Sequence, residues 1–135
     1  MIGRAWAAPL VAAVTLTACA GQPDEMNLRD SFAEQIASVA GVTAFERDGD
    51  ELRFSGPDGR GGTAGWRVRI DSAVLEPGPD AQAPYEGHVV SSWSRDGELI
   101  ESLGTMSGLP TAIQDAGIAQ VCYALWDTAS NTWNW

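Results

Sequence analysis

Residues 66–75 read Trp-Arg-Val-Arg-Ile-Asp-Ser-Ala-Val-Leu, and this stretch decides the fold class. Trp66, Val68, Ile70, Ser72 and Val74 alternate there with Arg67, Arg69, Asp71, Ala73 and Leu75. Because successive side chains of a strand point to opposite faces of a sheet, the alternation predicts a β-strand with one face buried and the other in water. No other stretch of the chain predicts a strand so clearly.

Two Asp-Gly dipeptides predict hairpins before and after this strand. The first hairpin joins residues 43–47 to residues 50–54. With residues 48–49 as its turn, Phe45 opposes Leu52 on the face that is expected to be buried.

The second hairpin turns at residues 96–97 and joins residues 85–95 to residues 98–103. This register places Trp93 opposite Ile100. One face of its first strand carries Tyr85, Gly87, Val89, Ser91 and Trp93. In both hairpins the turn reads Arg-Asp-Gly-acid, which predicts a screened ion pair across each turn worth under about 1 kcal/mol.

Helical periodicity predicts one long helix before the first hairpin. Leu28, Phe32, Ile36 and Val39 recur at helical spacing and indicate a helix over about residues 26–40. Its apolar stripe is narrow, so the helix is expected to lie on one face of a larger element.

Glycine and proline content places the loops and the last elements. Residues 55–65 are rich in glycine and residues 76–84 contain three prolines, and both are predicted to be loops. Residues 111–116 can form a short helix. Residues 118–126 fit a strand or a helix, and their β-branched and aromatic content favours a strand. Residues 132–135 are predicted to be the last strand.

The order of these elements predicts an α+β domain, in which an N-terminal helix packs on a curved antiparallel sheet of hairpins. This organisation resembles cystatin-like folds. A mostly-β barrel or sandwich is the alternative.

The N-terminus carries a signal of another kind. Arg4 precedes an apolar run over residues 7–18, which is the layout of a secretory signal peptide and is shorter than the roughly 20 residues of a membrane-spanning helix. Residues 16–19, Leu-Thr-Ala-Cys, close the run and resemble the lipobox of bacterial lipoproteins. The resemblance implies cleavage after Ala18 and lipid on Cys19.

By this resemblance the chain divides into a signal peptide (1–18), a lipidated tether (19–25) and a single globular domain (26–135). Several acyl chains make a stable anchor, so the domain would be held at a membrane of the cell envelope. Ala20 rather than Asp follows the lipidated residue. In a bacterium with two membranes this implies the outer membrane, with the domain facing the periplasm.

Charge excludes one class of partner. Residues 1–18 contain Arg4 and no acid, so the rest of the chain has seven arginines, no lysine and 18 acidic residues. Nucleic-acid binding depends on basic side chains that displace counterions, and an acidic surface repels a polyanion. We therefore expect no nucleic-acid partner, and a membrane contact only through the lipid.

Few residues could support catalysis, a metal or a cofactor. His88 is the sole histidine and, with Cys19 lipidated, Cys122 is the sole free thiol, so we expect no metal site and no cofactor. The apolar setting of Cys122 predicts a buried thiol. One constellation remains: His88 shares a strand face with Glu86, and a histidine oriented by a carboxylate can act as a general base.

Aromatic side chains supply the candidate binding residues, because they combine a large apolar area with a polar handle. Trp133 and Trp135, near the end of the sequence, are predicted to form a partly exposed patch. Tyr85 and His88 are the further candidates.

These observations together predict a lipid-anchored domain of the cell envelope with a non-catalytic binding or structural role, whose partner is an envelope protein or a glycan. The first alternative is a tethered inhibitor of an extracytoplasmic hydrolase, in which residues 76–84 enter a cleft. The second is a small hydrolase that uses His88 with Glu86.

Overall fold

One antiparallel sheet and one long helix make up most of the chain that the structure, a computed structural model, describes: residues 22–101 and 109–135. The elements in chain order are α1 (Glu25–Ala37), β1 (Thr43–Asp48), β2 (Glu51–Pro57), β3 (Thr63–Pro77), β4 (Tyr85–Arg95), β5 (Glu98–Leu99), α2 (Thr111–Asp115), β6 (Val121–Asp127) and β7 (Thr132–Asn134).

The strands form a single sheet in the order β1-β2-β3-β4-β6-β7, and β5 also pairs with β4. Every pairing is antiparallel. The sheet curls into a half-barrel that holds α1. The predicted helix with a curved antiparallel sheet is therefore confirmed at this coarse level, and the mostly-β content fits the α+β class and the barrel-like alternative alike.

Helix α1 packs inside the concave face of the half-barrel. Leu28, Phe32 and Ile36 are fully buried, as their helical spacing predicts. The carboxylate of Asp24 accepts a hydrogen bond of 2.7 Å from the backbone N–H of Asn27 and caps the first turn. The helix therefore begins at Glu25, one residue earlier than predicted, and it ends at Ala37, three residues earlier.

Polar contacts tie α1 to both ends of the sheet. At the first edge, Arg47 of β1 lies 2.6 Å from the carboxylate of Asp30. At the last edge, the indole N–H of Trp133 in β7 donates to the side-chain oxygen of Asn27 at 2.9 Å. Since β1 and β7 are the two edge strands, the helix spans the open side of the half-barrel.

The inner face of the sheet and the helix enclose one core. Trp66 and Trp93, which lie on the strand faces predicted to be buried, are 2% and 0% exposed, and their rings pack edge to face at 5.9 Å. The indole N–H of Trp93 donates to the hydroxyl of Ser91 at 2.8 Å, which satisfies both buried polar groups.

A β-bulge in β3 corrects the predicted alternation of residues 66–75. Pairing with β4 shifts register between Ile70 and Ser72, so Asp71 is the extra residue. Beyond the bulge the faces exchange: Ala73 is buried and Val74 is 39% exposed. The prediction that Val74 points inward is wrong, because one inserted residue inverts every later side chain of a strand.

The first hairpin has a different register from the predicted one. Leu52 pairs with Arg47 rather than with Phe45. The two turn residues are Gly49 and Asp50, and only Gly49 has a left-handed φ, of +62°. A two-residue turn with glycine at its first central position accounts for the shift.

The second hairpin turns at Asp96-Gly97 as predicted, with φ values of +51° and +85°. The backbone N–H of Ile100 donates to the carbonyl of Trp93 at 2.8 Å, which confirms their predicted opposition. Strand β5 is short, Glu98–Leu99, and the predicted strand residues 102–103 lie outside the described part of the chain.

The ion pair predicted across each turn is wrong for the described residues. Arg47 forms its ion pair with Asp30 of α1 rather than with the acid of its turn, although its Nε also donates to the carbonyl of Gly49 at 2.9 Å. The guanidinium of Arg95 lies 5.8 Å from the centre of the Trp66 ring, and no ion pair with Glu98 is found there. The face of the Trp66 ring is thus the partner of Arg95, and the carboxylate of Asp30 is the partner of Arg47, in place of the predicted acids.

The glycine-rich loop is shorter than the predicted 55–65, because β2 and β3 extend into it and leave only residues 58–62. Glycine permits an extended strand as well as a turn, so its abundance did not exclude pairing. In the turn, Asp58 accepts hydrogen bonds from the backbone N–H groups of Arg60 and Gly62, and these hold the pKa of its carboxyl below the usual value.

The predicted 76–84 loop is also shorter, 78–84, since Glu76 and Pro77 pair with β4. The predicted short helix is confirmed as α2, and residues 121–127 form a strand, as favoured. The last strand is confirmed as β7, although it ends at Asn134.

The signal peptide, the lipobox and Cys19 lie outside the described residues. Within residues 22–101 and 109–135, no helix is long and apolar enough to cross a membrane.

Candidate binding surface on the outer face of the sheet

The convex, outer face of the sheet carries a contiguous group of exposed apolar side chains. They are each between 36 and 55% exposed. We call this surface the outer patch, and it consists of Val74, Val90, Val121, Tyr123 and Leu125.

Strand register makes these five side chains neighbours. Val90 of β4 pairs with Val121 of β6. One row further along, His88 pairs with Tyr123 on one side and with Val74 on the other. Directly paired side chains of adjacent strands lie about 4.5–5.5 Å apart, so the outer patch is one continuous surface across three strands.

His88 stands at the centre of the outer patch. Its Nε2 lies 3.1 Å from Oε1 of Glu86, two residues away on the same strand, and this confirms the predicted shared face. Its ring packs edge to face on Tyr123, with ring centres 4.6 Å apart at an angle of 82°. Glu86 and Tyr123 therefore fix the ring from two sides.

The surroundings of His88 offer little for catalysis. No hydroxyl or thiol lies within hydrogen-bonding distance of its ring among the described residues, so His88 is not paired with a side-chain nucleophile there. The described residues also contain no group of three histidine, cysteine or carboxylate side chains that could hold a metal ion. The contact thus orients His88 within a surface, which suits recognition.

Acidic side chains border one end of the outer patch. Glu76 of β3 pairs directly with Glu86 of β4, beside Leu125. At the other end of the same face charges are matched, since Arg67 lies 2.8 Å from the carboxylate of Glu51. The outer patch therefore has one acidic border and one neutral border.

Asp71 occupies the bulge beside the outer patch and receives two hydrogen bonds. The Ser92 hydroxyl donates to it at 2.5 Å and the Arg69 guanidinium at 2.8 Å. Partial burial raises the pKa of Asp71, but the hydrogen bonds from Ser92 and Arg69 together lower it by more than burial raises it. The pKa of Asp71 therefore lies below its usual value.

The four predicted binding residues do not form one site. Trp133 is only 7% exposed, so the expected exposure is not found there. The indole N–H of Trp135 donates to the hydroxyl of Ser31 at 3.0 Å, and its ring is partly buried against the core. Tyr85 is likewise partly buried on the inner face, whereas His88 faces outward.

Grooves also lie outside the outer patch. One, about 410 Å³, is lined by Arg53, Trp66 and Arg67. Another, about 340 Å³, lies on the outer face and shares Arg67 with the first. A third, about 260 Å³, lies between α1 and β7. Trp126 lines this groove and has a buried indole N–H without a hydrogen-bond partner among the described residues.

The outer patch was not predicted, although β6 carried a signal for it. Residues 121–125 read Val-Cys-Tyr-Ala-Leu, which is apolar on both faces of a strand. A strand of an antiparallel sheet with one solvated face normally alternates, so an apolar outer face indicates contact with something else. The contribution of Val74 could not be read in this way, since it depends on the bulge.

Comparison of the chain with protein-family models, with curated proteins and with solved structures finds no match.

Proposed function

We propose that the chain is a lipid-anchored protein of the cell envelope whose domain is a non-catalytic binding module for another protein. The lipobox at residues 16–19 supports the anchor, and the outer patch supports the binding role. In a bacterium with two membranes, we place the anchor in the outer membrane and the domain in the periplasm. We further propose that the arrangement of helix and hairpins is cystatin-like in organisation.

The outer patch is the observation that carries the proposal. Contiguous exposed apolar side chains raise the free energy of a domain in water, because apolar surface is more stable when it is removed from water. Such patches mark interaction surfaces. Four of its five side chains are aliphatic and cannot hydrogen-bond to sugar hydroxyls, which favours a protein over a glycan as partner.

In-cell photocrosslinking tests the binding role. A benzophenone amino acid at position 123 lies in the outer patch, and the same residue at position 67 is a control on the same face but away from it. We expect a light-dependent adduct with one protein from position 123 and none from position 67. Equal adducts from both positions, or none from position 123, would contradict the proposal.

Metabolic labelling with radioactive palmitate tests the anchor separately. We expect label in the wild-type chain and none in Cys19→Ser. Cys122→Ser is the matched control and should keep the label. Label that survives Cys19→Ser would refute the anchor and leave the binding role untouched.

A second candidate function is inhibition of an extracytoplasmic hydrolase by the proline-rich loop at residues 78–84. The observation in its favour is that four hydrogen bonds restrain the loop. The carboxylate of Asp80 accepts hydrogen bonds from two backbone N–H groups of the loop, and Thr128 donates two to the carbonyl of Gln82. A loop ordered in advance loses little conformational entropy on entering a cleft.

Replacing residues 79–83 with a glycine-serine segment of equal length tests this second function. We expect inhibition of a periplasmic hydrolase extract to be lost while the melting temperature changes little. The same replacement in the turn at residues 58–62 is the control. Inhibition that persists, or that is absent from the wild-type chain, excludes this function.

A further inference from the structure

We propose that the protein bound at the outer patch presents a lysine or arginine side chain, which Glu76 and Glu86 hold between them. This inference rests on the proposed binding role and adds the chemistry of the partner. The occupant of the outer patch is a protein surface that combines apolar side chains with a basic residue at one end.

The two carboxylates are placed side by side by strand register. Glu76 and Glu86 are directly paired between β3 and β4 on the outer face. Like charges in this position repel each other at about 4.5–5.5 Å between β-carbons and destabilise the strand pair. A cation between them would remove that repulsion, so the isolated domain carries an unfavourable interaction that a basic partner relieves.

The described residues supply no permanently charged cation for this pair, since His88 is a cation only when it is protonated. Glu86 contacts His88 at 3.1 Å, and Glu76 forms no ion pair within residues 22–101 and 109–135. On the same face, Arg67 is held by Glu51 and Arg69 by Asp71, each at 2.8 Å. These two arginines of β3, the strand that carries Glu76, are thus already neutralised.

The pair is also open to a partner from the side. Strand β2 pairs with β3 only as far as Arg69, so Glu76 lies on a part of β3 that has no strand beyond it in the described chain. Glu76 is exposed, and Leu125 of the outer patch pairs with Glu86. One partner surface can therefore cover the apolar side chains and reach both carboxylates.

A second copy of this chain fits the surface poorly. The outer face is the convex side of the half-barrel, and two convex faces meet over a small area. The chain has a formal net charge of −10, so two copies repel each other. A basic and apolar partner is complementary in charge, and charge complementarity adds rate and specificity to association.

Exposed ion pairs are weak, so the expected effect is moderate. Removing both carboxylates should lower affinity about three- to tenfold, and salt should have a similar effect by screening.

Two matched peptides test the inference by NMR. One acetylated hexapeptide alternates leucine with lysine, and the other alternates leucine with glutamate. Each is titrated into the isotope-labelled full chain carrying Cys19→Ser, which takes no lipid. We expect saturable shifts at amides of the outer patch with the lysine peptide only, weakened about three- to tenfold by Glu76→Gln with Glu86→Gln. The control pair Glu46→Gln with Glu98→Gln removes the same charge elsewhere and should bind as the wild type does.

Glu76→Gln alone is a further variant, because the Glu76 side chain forms no ion pair among the described residues that the change would remove. Equal shifts from both peptides would show a surface without charge preference; they would overturn the inference and leave the binding role standing. Absence of shifts at the outer patch would overturn it too, as would equal weakening by the control pair. Shifts that depend on protein concentration without peptide would identify a second copy as the occupant and equally overturn it.

Discussion

At the scale of single residues, burial alone determines the chemistry of Cys122. The thiol lies on the inner face of β6 and is 4% exposed. Burial raises its pKa to about 11, and only a backbone hydrogen bond with Ala119 opposes this. The reactive thiolate is therefore scarce at neutral pH, and the residue acts as a small apolar side chain.

We expect the Cys122 thiol to resist iodoacetamide at pH 8 in the folded chain and to react fully in denaturant. Mass spectrometry of the peptide that contains Cys122 measures this without interference from Cys19. Rapid modification of the folded chain would contradict the buried position.

The carboxylate of Asp71 makes the stability of the fold depend on pH. Its folded-state pKa lies below the usual 3.8, so the ionised form is the one that folding favours. The stabilisation is present above the unfolded-state pKa and is lost as pH falls through the folded-state pKa. The side chain is 32% exposed, so we expect only about 0.5 kcal/mol.

Denaturant unfolding of wild type and Asp71→Asn at several pH values measures this contribution. The variant should be less stable at pH 7, and the difference should shrink below about pH 4 as the wild-type carboxylate takes up its proton. A difference that is constant between pH 7 and pH 2.5 would assign the loss to packing instead of charge.

At the scale of elements, Gly87 allows helix α1 to lie against strand β4. A β-carbon added at this position would lie 2.5 Å from Cδ1 of Leu28 and 3.2 Å from Cζ3 of Trp133. All three residues are buried, so the clash cannot be relieved toward solvent. The glycine is thus required by the close approach of helix and sheet.

We expect Gly87→Ala to lower the free energy of unfolding by about 1–3 kcal/mol through overpacking. Chemical denaturation measures this, and Leu28→Ala supplies the control. If the clash with Leu28 is the cause, the double variant should be less destabilised than the sum of the two single changes. Strict additivity would contradict the contact.

The predictable elements were those whose signal is local. Helix α1 and the second hairpin follow from side-chain periodicity and from an Asp-Gly pair whose two residues both adopt left-handed φ. The first hairpin contains the same dipeptide but turns one residue later. Its arginine, Arg47, is bound to Asp30 of α1, a contact that no pattern within residues 43–54 contains.

At the scale of the whole molecule, the two faces of the sheet differ in burial, and we propose that the inner face serves stability and the outer face recognition. Val89 and Val90 are successive residues of β4 that illustrate this division, since Val89 is fully buried and Val90 is 38% exposed. The inner face carries the core, whereas the side chains of the outer patch are 36–55% exposed. Substitutions on the two faces should therefore have different consequences.

We expect Val90→Thr with Val121→Thr to change the free energy of unfolding by no more than about 0.5 kcal/mol, and to abolish the adduct formed from position 123. Val89→Thr is the control, and it should cost about 1–3 kcal/mol because it buries a hydroxyl. Thermal unfolding and crosslinking measure the two effects. A large loss of stability in the outer-face variant would contradict the division.

The sequence by itself determined the alternation of the strands up to the bulge, the amphipathic helix, and the buried Trp66 and Trp93. Each of these depends on residue type and on spacing within one element. Tertiary structure decided the outer patch, because its side chains come from β3, β4 and β6 and meet only through register. It also decided the direction of Val74, which a single bulge residue at Asp71 reverses.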